Sequence, residues 1–144
     1  MDITHKGIGM NEELDDSLIL VHQNMRGFSS KISEFTSLLT LDNINPQFLC
    51  FSERHMSEPN LCLINIENHN LGTCFFHQTY QKGGVCTCDR KDVYYKSLDP
   101  TRYCQEKNLE ICAIQIESMT NQQIIVCVYR SPSGNFHHFW DYLK

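Results

Sequence analysis

Apolar residues come in short runs along this chain, and the spacing of each run predicts an element. "SLILVH" from Ser17 is continuous and apolar, which suits a buried strand. In "QNMRGFSSK" Gly27 interrupts it, and Ser29 or Ser30 has the chemistry of a helix N-cap. Phe28, Ile32, Phe35, Leu38 and Leu39 then recur at helical spacing, predicting a helix with one apolar face that Pro46 in "NINPQ" brings to an end. "QFLCF" reads as a second buried strand, so strand, helix and strand form a crossover unit. "LCLINI", "GTCFF", "GGVCTC" and "DVYY" are short and separated by Gly, Asn or charged residues, the pattern of a meander. "LEICAIQI" and "QIIVCVY" predict a hairpin across "ESMTNQ". Phe136, Phe139, Trp140 and Leu143 lie on one stripe of an amphipathic helix after "SPSGN", and that helix reaches Lys144 without a C-cap, as if cut short. Residues 1–17 hold five acids against one Lys with no period, so a flexible acidic tail is expected there and an ordered, strand-rich α/β (α+β) domain over 18–144.

Composition narrows the class. With 144 residues, 41% hydrophobic and 20% charged, the chain is sized and composed for one globular domain. Its formal charge of −5 excludes a protein that coats nucleic acid by charge alone, so any grip on a phosphate backbone must be local or assisted by a metal ion. The start, "MDITHKGIGMNEELDDS", lacks the apolar core of a secretory signal, and no apolar run is long enough to span a bilayer, so an intracellular protein with no membrane partner is expected. In a reducing compartment the eight cysteines are expected mostly as free thiols, packed in strands as small hydrophobes.

Four polar groups stand where buried strands begin or end. "LILVHQN" ends in Asn24, "FLCFSE" ends in Glu53, "YQKGGVC" brings Gly83 and Gly84 to a strand start, and "IIVCVYRSPSGN" ends in Tyr129 and Arg130. Singly, each has a structural explanation: a turn amide, a solvated strand end, a bend and a core aromatic. Their order along the chain carries more.

That order, in "HQNMRGFSSKISEF", "PQFLCFSERH", "KGGVC" and "VCVYRSPSGN", resembles the endonuclease/exonuclease/phosphatase family, and most closely the endonuclease domains of insect-type non-LTR retrotransposons. The resemblance spans about residues 18–143. It implies a four-layer sandwich, two sheets face to face with helices outside, of which this chain is the amino-terminal part. It also implies three site residues: Glu53 as the acid that binds catalytic Mg²⁺, Asn24 as the amide that orients the acid and the phosphate, and Tyr129 as the hydroxyl that reaches the scissile phosphate. Mg²⁺ suits such a site, because it takes oxygen ligands and often only one or two carboxylates. His55 fits a local family pattern as a neighbour of the site. Arg26 reads as a surface turn residue, and His137 and His138 as the polar face of the last helix.

The sequence departs from the family in one large respect. The Gly-Asp-x-Asn and Asp-His motifs that complete the centre do not occur, and the only Asp after Tyr129 is Asp141 in "FWDYLK". The expectation is therefore a partial domain with its carboxyl-terminal half missing, DNA as partner of the complete domain, and weak or no activity in this chain. Two alternatives stand beside it. One is a non-catalytic interaction module, homodimeric through the sheet that the absent strands leave uncovered. The other is a metal or redox module built on Cys86, Cys88 and a nearby His, which the irregular Cys spacing disfavours.

Overall fold

The computed structural model describes residues 17–52, 65–78, 83–117 and 122–144, together with the backbone of a two-residue strand at 4–5. The first apolar run and the second form parallel neighbours: β2 (Leu20–Asn24) pairs with β3 (Phe48–Ser52), in register from Leu20↔Phe48 to Asn24↔Ser52. A parallel pair needs a crossover, and α1 (Phe28–Leu41) supplies it as the apolar spacing predicts. The helix turns its buried residues Phe28, Phe35 and Leu39 onto the sheet.

The expected Ser29 or Ser30 cap is not what starts this helix. Gly27 is the N-cap, in the left-handed conformation at φ 74, and no side chain caps the first turn. The Met25 amide donates to the Ser52 carbonyl at 2.8 Å, the last bond of the parallel β2–β3 ladder, and the chain turns directly after it. Only a residue without a Cβ takes the sharp bend at Gly27 without strain. Ser30 falls inside the first turn, where its hydroxyl donates back to the Gly27 carbonyl at 2.8 Å.

The region expected as a meander is ordered differently. After β4 (His69–Phe75) and β5 (Val85–Arg90), the chain inserts β5 between β3 and β4, antiparallel to both, giving the sheet order β1-β2-β3-β5-β4. β5 takes the inner place and β4 the edge, and burial follows: all residues of β5 but Arg90 are buried, whereas no residue of β4 is, a difference that short apolar runs do not register. Within "LCLINI", Asn65 and Ile66 are not strand, and 61–64 lie outside the described residues. "DVYY" contributes only Tyr95, the first residue of β6 (Tyr95–Leu98). At the opposite edge β1 (Thr4–His5) pairs antiparallel with His22 and Val21 of β2, so two residues of the acidic amino-terminal segment are strand.

The predicted hairpin is present as β7 (Glu110–Ile116) and β8 (Gln123–Tyr129), and with β6 it forms a second sheet, β6-β7-β8. The two sheets face each other across Phe48, Cys50 and Val85 on one side and Cys112, Ile114, Ile125 and Cys127 on the other. A second core lies between the first sheet and α1, built from Val21, Leu49, Phe51, Cys86 and Cys88 with the helix. Phe51 is its centre: its ring meets Phe28 and Phe35 edge-on, at centroid distances of 5.0 and 5.3 Å. The chain is thus a mixed α/β protein with more strand than helix, in layers of helix, sheet and sheet. Cys50, Cys88, Cys112 and Cys127 are free, buried thiols in strands, as the reading of strand cysteines expects, and Cys104 is a free, half-buried thiol outside any strand. No helix among the described residues is long and apolar enough to cross a membrane.

The last element, α2 (Phe136–Leu143), has a side-chain cap: Asn135 Oδ1 accepts from the His137 and His138 amides at 2.9 and 3.2 Å. Both histidines are exposed, in keeping with a polar face. None of the helix's residues is buried, its apolar stripe included.

Candidate active site

The strand register joins four separate segments at one end of the sandwich. Asn24 closes β2 opposite Ser52, which closes β3. Ser52 is in turn opposite Val85, the first residue of β5. The amide of Gly84, one residue earlier, donates to Glu110 Oε2 at 2.5 Å, and Glu110 is the register partner of Tyr129. Asn24, the strand end that precedes Glu53, the double glycine and the end of β8 therefore share one rim. Glu53 itself, with Arg54 and His55, lies outside the described residues.

At the first corner Asn24 is exposed and Ser52 is buried. Ser52 Oγ lies 3.2 Å from His22 Nε2, and burial lowers the His22 pKa, so the imidazole is neutral near pH 7 and shares its hydrogen bond with the hydroxyl. The Ser52 carbonyl holds Met25, which fixes the turn carrying Asn24 and Arg26 against the end of β3.

The second corner is one that sequence reasoning missed. Glu110 is fully buried, and its carboxylate accepts from the Gly84 amide, from the Lys107 amide at 3.1 Å and from His77 Nε2. A buried carboxylate survives only with such donors. The turn that brings them requires glycine. Gly83 and Gly84 have φ of 111 and 96, and a Cβ on Gly83 would stand 2.5 Å from the His77 ring and 2.9 Å from Glu110 Oε1. The signal available in the sequence was an acid opening an apolar strand, "LEICAIQI", which is costly unless a partner waits for it. Apart from the nearby Lys107 amide, its partners come from residues 26 to 33 positions away, so no local pattern exposes them.

Tyr129 is half-buried and packs on the core between the sheets. Directly after it, Arg130 donates to the Ser131 and Gly134 carbonyls at 3.2 and 3.0 Å, and its guanidinium lies over the Phe136 and Phe139 rings. The arginine is therefore committed to shaping the "RSPSGN" turn. Gly134 is part of that turn for a steric reason: a Cβ there would meet the Lys107 carbonyl oxygen at 2.1 Å.

For a hard cation such as Mg²⁺ the donor chemistry at this rim is of the right kind, since Asn24, Ser52 and Tyr129 all bear oxygen. Among the described residues, however, no group of three His, Cys, Asp or Glu side chains could hold a metal ion, and the rim's buried carboxylate, Glu110, already has its donors. Cys86 and Cys88, the pair behind the alternative metal module, point into the core under α1. Compared with known proteins, the chain matches no protein-family model and no curated protein.

Proposed function

We propose that this chain carries the amino-terminal part of a Mg²⁺-dependent phosphodiesterase domain of the endonuclease/exonuclease/phosphatase type, one that hydrolyses DNA phosphodiesters when complete and resembles the nicking module of a non-LTR retrotransposon. The observation that supports it is the shared rim: Asn24, the strand end before Glu53, and Tyr129 are far apart in sequence yet are linked by strand pairing within each sheet and by the Gly84–Glu110 hydrogen bond between the sheets. A core-building role alone does not require three strands to end in polar groups on the same side.

In this reading Glu53 holds the metal. The bound ion supplies charge neutralisation at the phosphate and at the leaving oxygen. The Asn24 amide orients the acid and a phosphate oxygen, and the Tyr129 hydroxyl donates to a second phosphate oxygen. Residues 1–144 contain neither the Asp that would activate water nor the His that would steady the developing charge. General acid/base groups contribute about 10²–10⁴ in rate each, so this stretch alone is expected to be inert.

The test has two parts. Isothermal titration of Mg²⁺ should show weak binding that Glu53→Gln removes, and binding indifferent to that change would sink the metal assignment. Supercoiled plasmid incubated with the protein and Mg²⁺ should stay unnicked. Robust nicking abolished by Glu53→Ala would overturn the inactivity while establishing the site. The second reading, a non-catalytic interaction module, is favoured by the uncovered faces of β8 and α2.

A further inference from the structure

Independently of any catalytic reading, we infer that β8 and α2 form a self-complementary docking surface for a second copy of this chain, the apolar stripe of α2 in each protomer lying on the outer face of β8 in the other. In β8 the alternation turns Ile125 and Cys127 inward, so Ile124 and Val126 point out, 59% and 52% exposed. In α2, Phe136 and Trp140 stack on each other on the apolar stripe and are still 56% and 51% exposed, with Leu143 at 46%. Among the described residues, the chain thus presents a strand face that no helix covers and a helix that covers no face. The first sheet shows how the same chain satisfies this need, with α1 laid across it.

The helix is held away from its own sheet by the turn before it. The Asn135 amide donates to Asn108 Oδ1 at 2.6 Å, the Ser131 amide to the Lys107 carbonyl at 2.9 Å, and Gly134 is packed against that carbonyl. An eight-residue helix with no buried residue is unstable by itself, so its apolar stripe needs a partner.

Charge and area favour a second copy as that partner. The chain carries −5 overall, yet β8 has no charged residue, and on α2 Asp141 is balanced by Lys144 at 3.8 Å, so the surface escapes the general repulsion. The five half-exposed apolar side chains offer roughly 350 Å² per protomer. At an ordinary interface composition this corresponds to about 1,100 Å² of total buried surface, just above the ~1,000 Å² a specific interface requires. A closed twofold dimer of micromolar affinity is the outcome that size supports.

Sedimentation equilibrium from about 5 to 200 µM tests this. The wild-type chain should approach twice the 16.8 kDa monomer mass at the upper end. Val126→Lys and Trp140→Glu change exposed positions and should each weaken association by at least about tenfold with unaltered far-UV circular dichroism. Mixing the two variants should restore a dimer, because reciprocal docking then sets Lys against Glu at one contact and leaves the other wild-type. A wild-type chain that stays monomeric, a dimer indifferent to both substitutions, an open-ended aggregate, or variants that remain apart when mixed would overturn the inference. So would a monomer that floats with phosphatidylcholine/phosphatidylserine vesicles, which would assign the surface to lipid.

Discussion

The two sheets differ in how the chain covers them. The β1-β2-β3-β5-β4 sheet is sandwiched: α1 covers one face, the β6-β7-β8 sheet covers the other, and every residue of its central strand β3 is buried. The β6-β7-β8 sheet has one buried face, and its strand β8 alternates between core residues and side chains left in water. Valine therefore means different things in the two places. Val21 and Val85 of the first sheet are buried, whereas Val126 of the second is half exposed.

Substitutions should separate the two sheets by a wide margin. The largest effect is expected at Phe51, whose truncation to Ala removes both edge-on ring contacts and leaves a cavity under α1, a loss of about 4 kcal/mol by urea denaturation. A loss below about 1 kcal/mol would mean the helix-covered core is not the stable half. Next comes Glu110, which ties the second sheet to the turn entering the first. Glu110→Ala leaves the buried Gly84 amide and the half-buried Lys107 amide without this acceptor and should lose about 3 kcal/mol, with the 83–84 amides exchanging fastest in hydrogen-exchange mass spectrometry.

A third test uses pH. Asp89 is buried in the first sheet, and neither carboxylate oxygen completes a hydrogen bond among the described residues. Burial pushes its pKa up to about 6, against the weaker pull of the Tyr95 and Thr87 hydroxyls and the charge of His69, while Cys86 adds to the rise. A carboxyl whose folded pKa lies above its unfolded value binds its proton more readily when folded. Asp89 therefore destabilises the fold above about pH 6 and relaxes as pH falls toward 4. Stability should rise by roughly 2 kcal/mol from about pH 7 to about pH 4.5 on account of this group. Asp89→Asn should flatten that slope, and an unchanged slope would refute the assignment. The smallest effect is expected on the bare face: Ile124→Thr in the dilute monomer should change stability by less than about 0.5 kcal/mol, and a larger loss would show that the face is covered after all.

The elements themselves were legible because each apolar run is bounded by residues that cannot continue it. Gly27 and the glycine pair mark real boundaries, and the stripe of Phe28, Phe35 and Leu39 is the buried face of α1, which ends at Leu41, with Asn43 at φ 53 just beyond, several residues ahead of the expected stop at Pro46. Pairing was less legible. Nothing in "GTCFF" or "GGVCTC" says which strand becomes central, because that depends on what the strand packs against. The helix start at Gly27 was obscured by two serines with good capping chemistry, since the left-handed turn there follows where the β2–β3 ladder ends, a pairing between residues distant in sequence. Of the rim, the positions of Asn24 and Tyr129 at strand ends follow from the run boundaries, whereas the Glu110 cluster follows only from tertiary contact.

The thiols give the two cores separate voices. Cys86 and Cys88 sit beneath α1, while Cys50, Cys112 and Cys127 sit between the sheets, all nearly inaccessible. Neighbouring thiols and burial hold Cys88 and Cys127 well above the ordinary thiol range, so alkylating reagents find no thiolate to attack until the protein opens. Peptide-resolved labelling during gradual unfolding would thus record in what order the layers part, with reporters that the chain already contains.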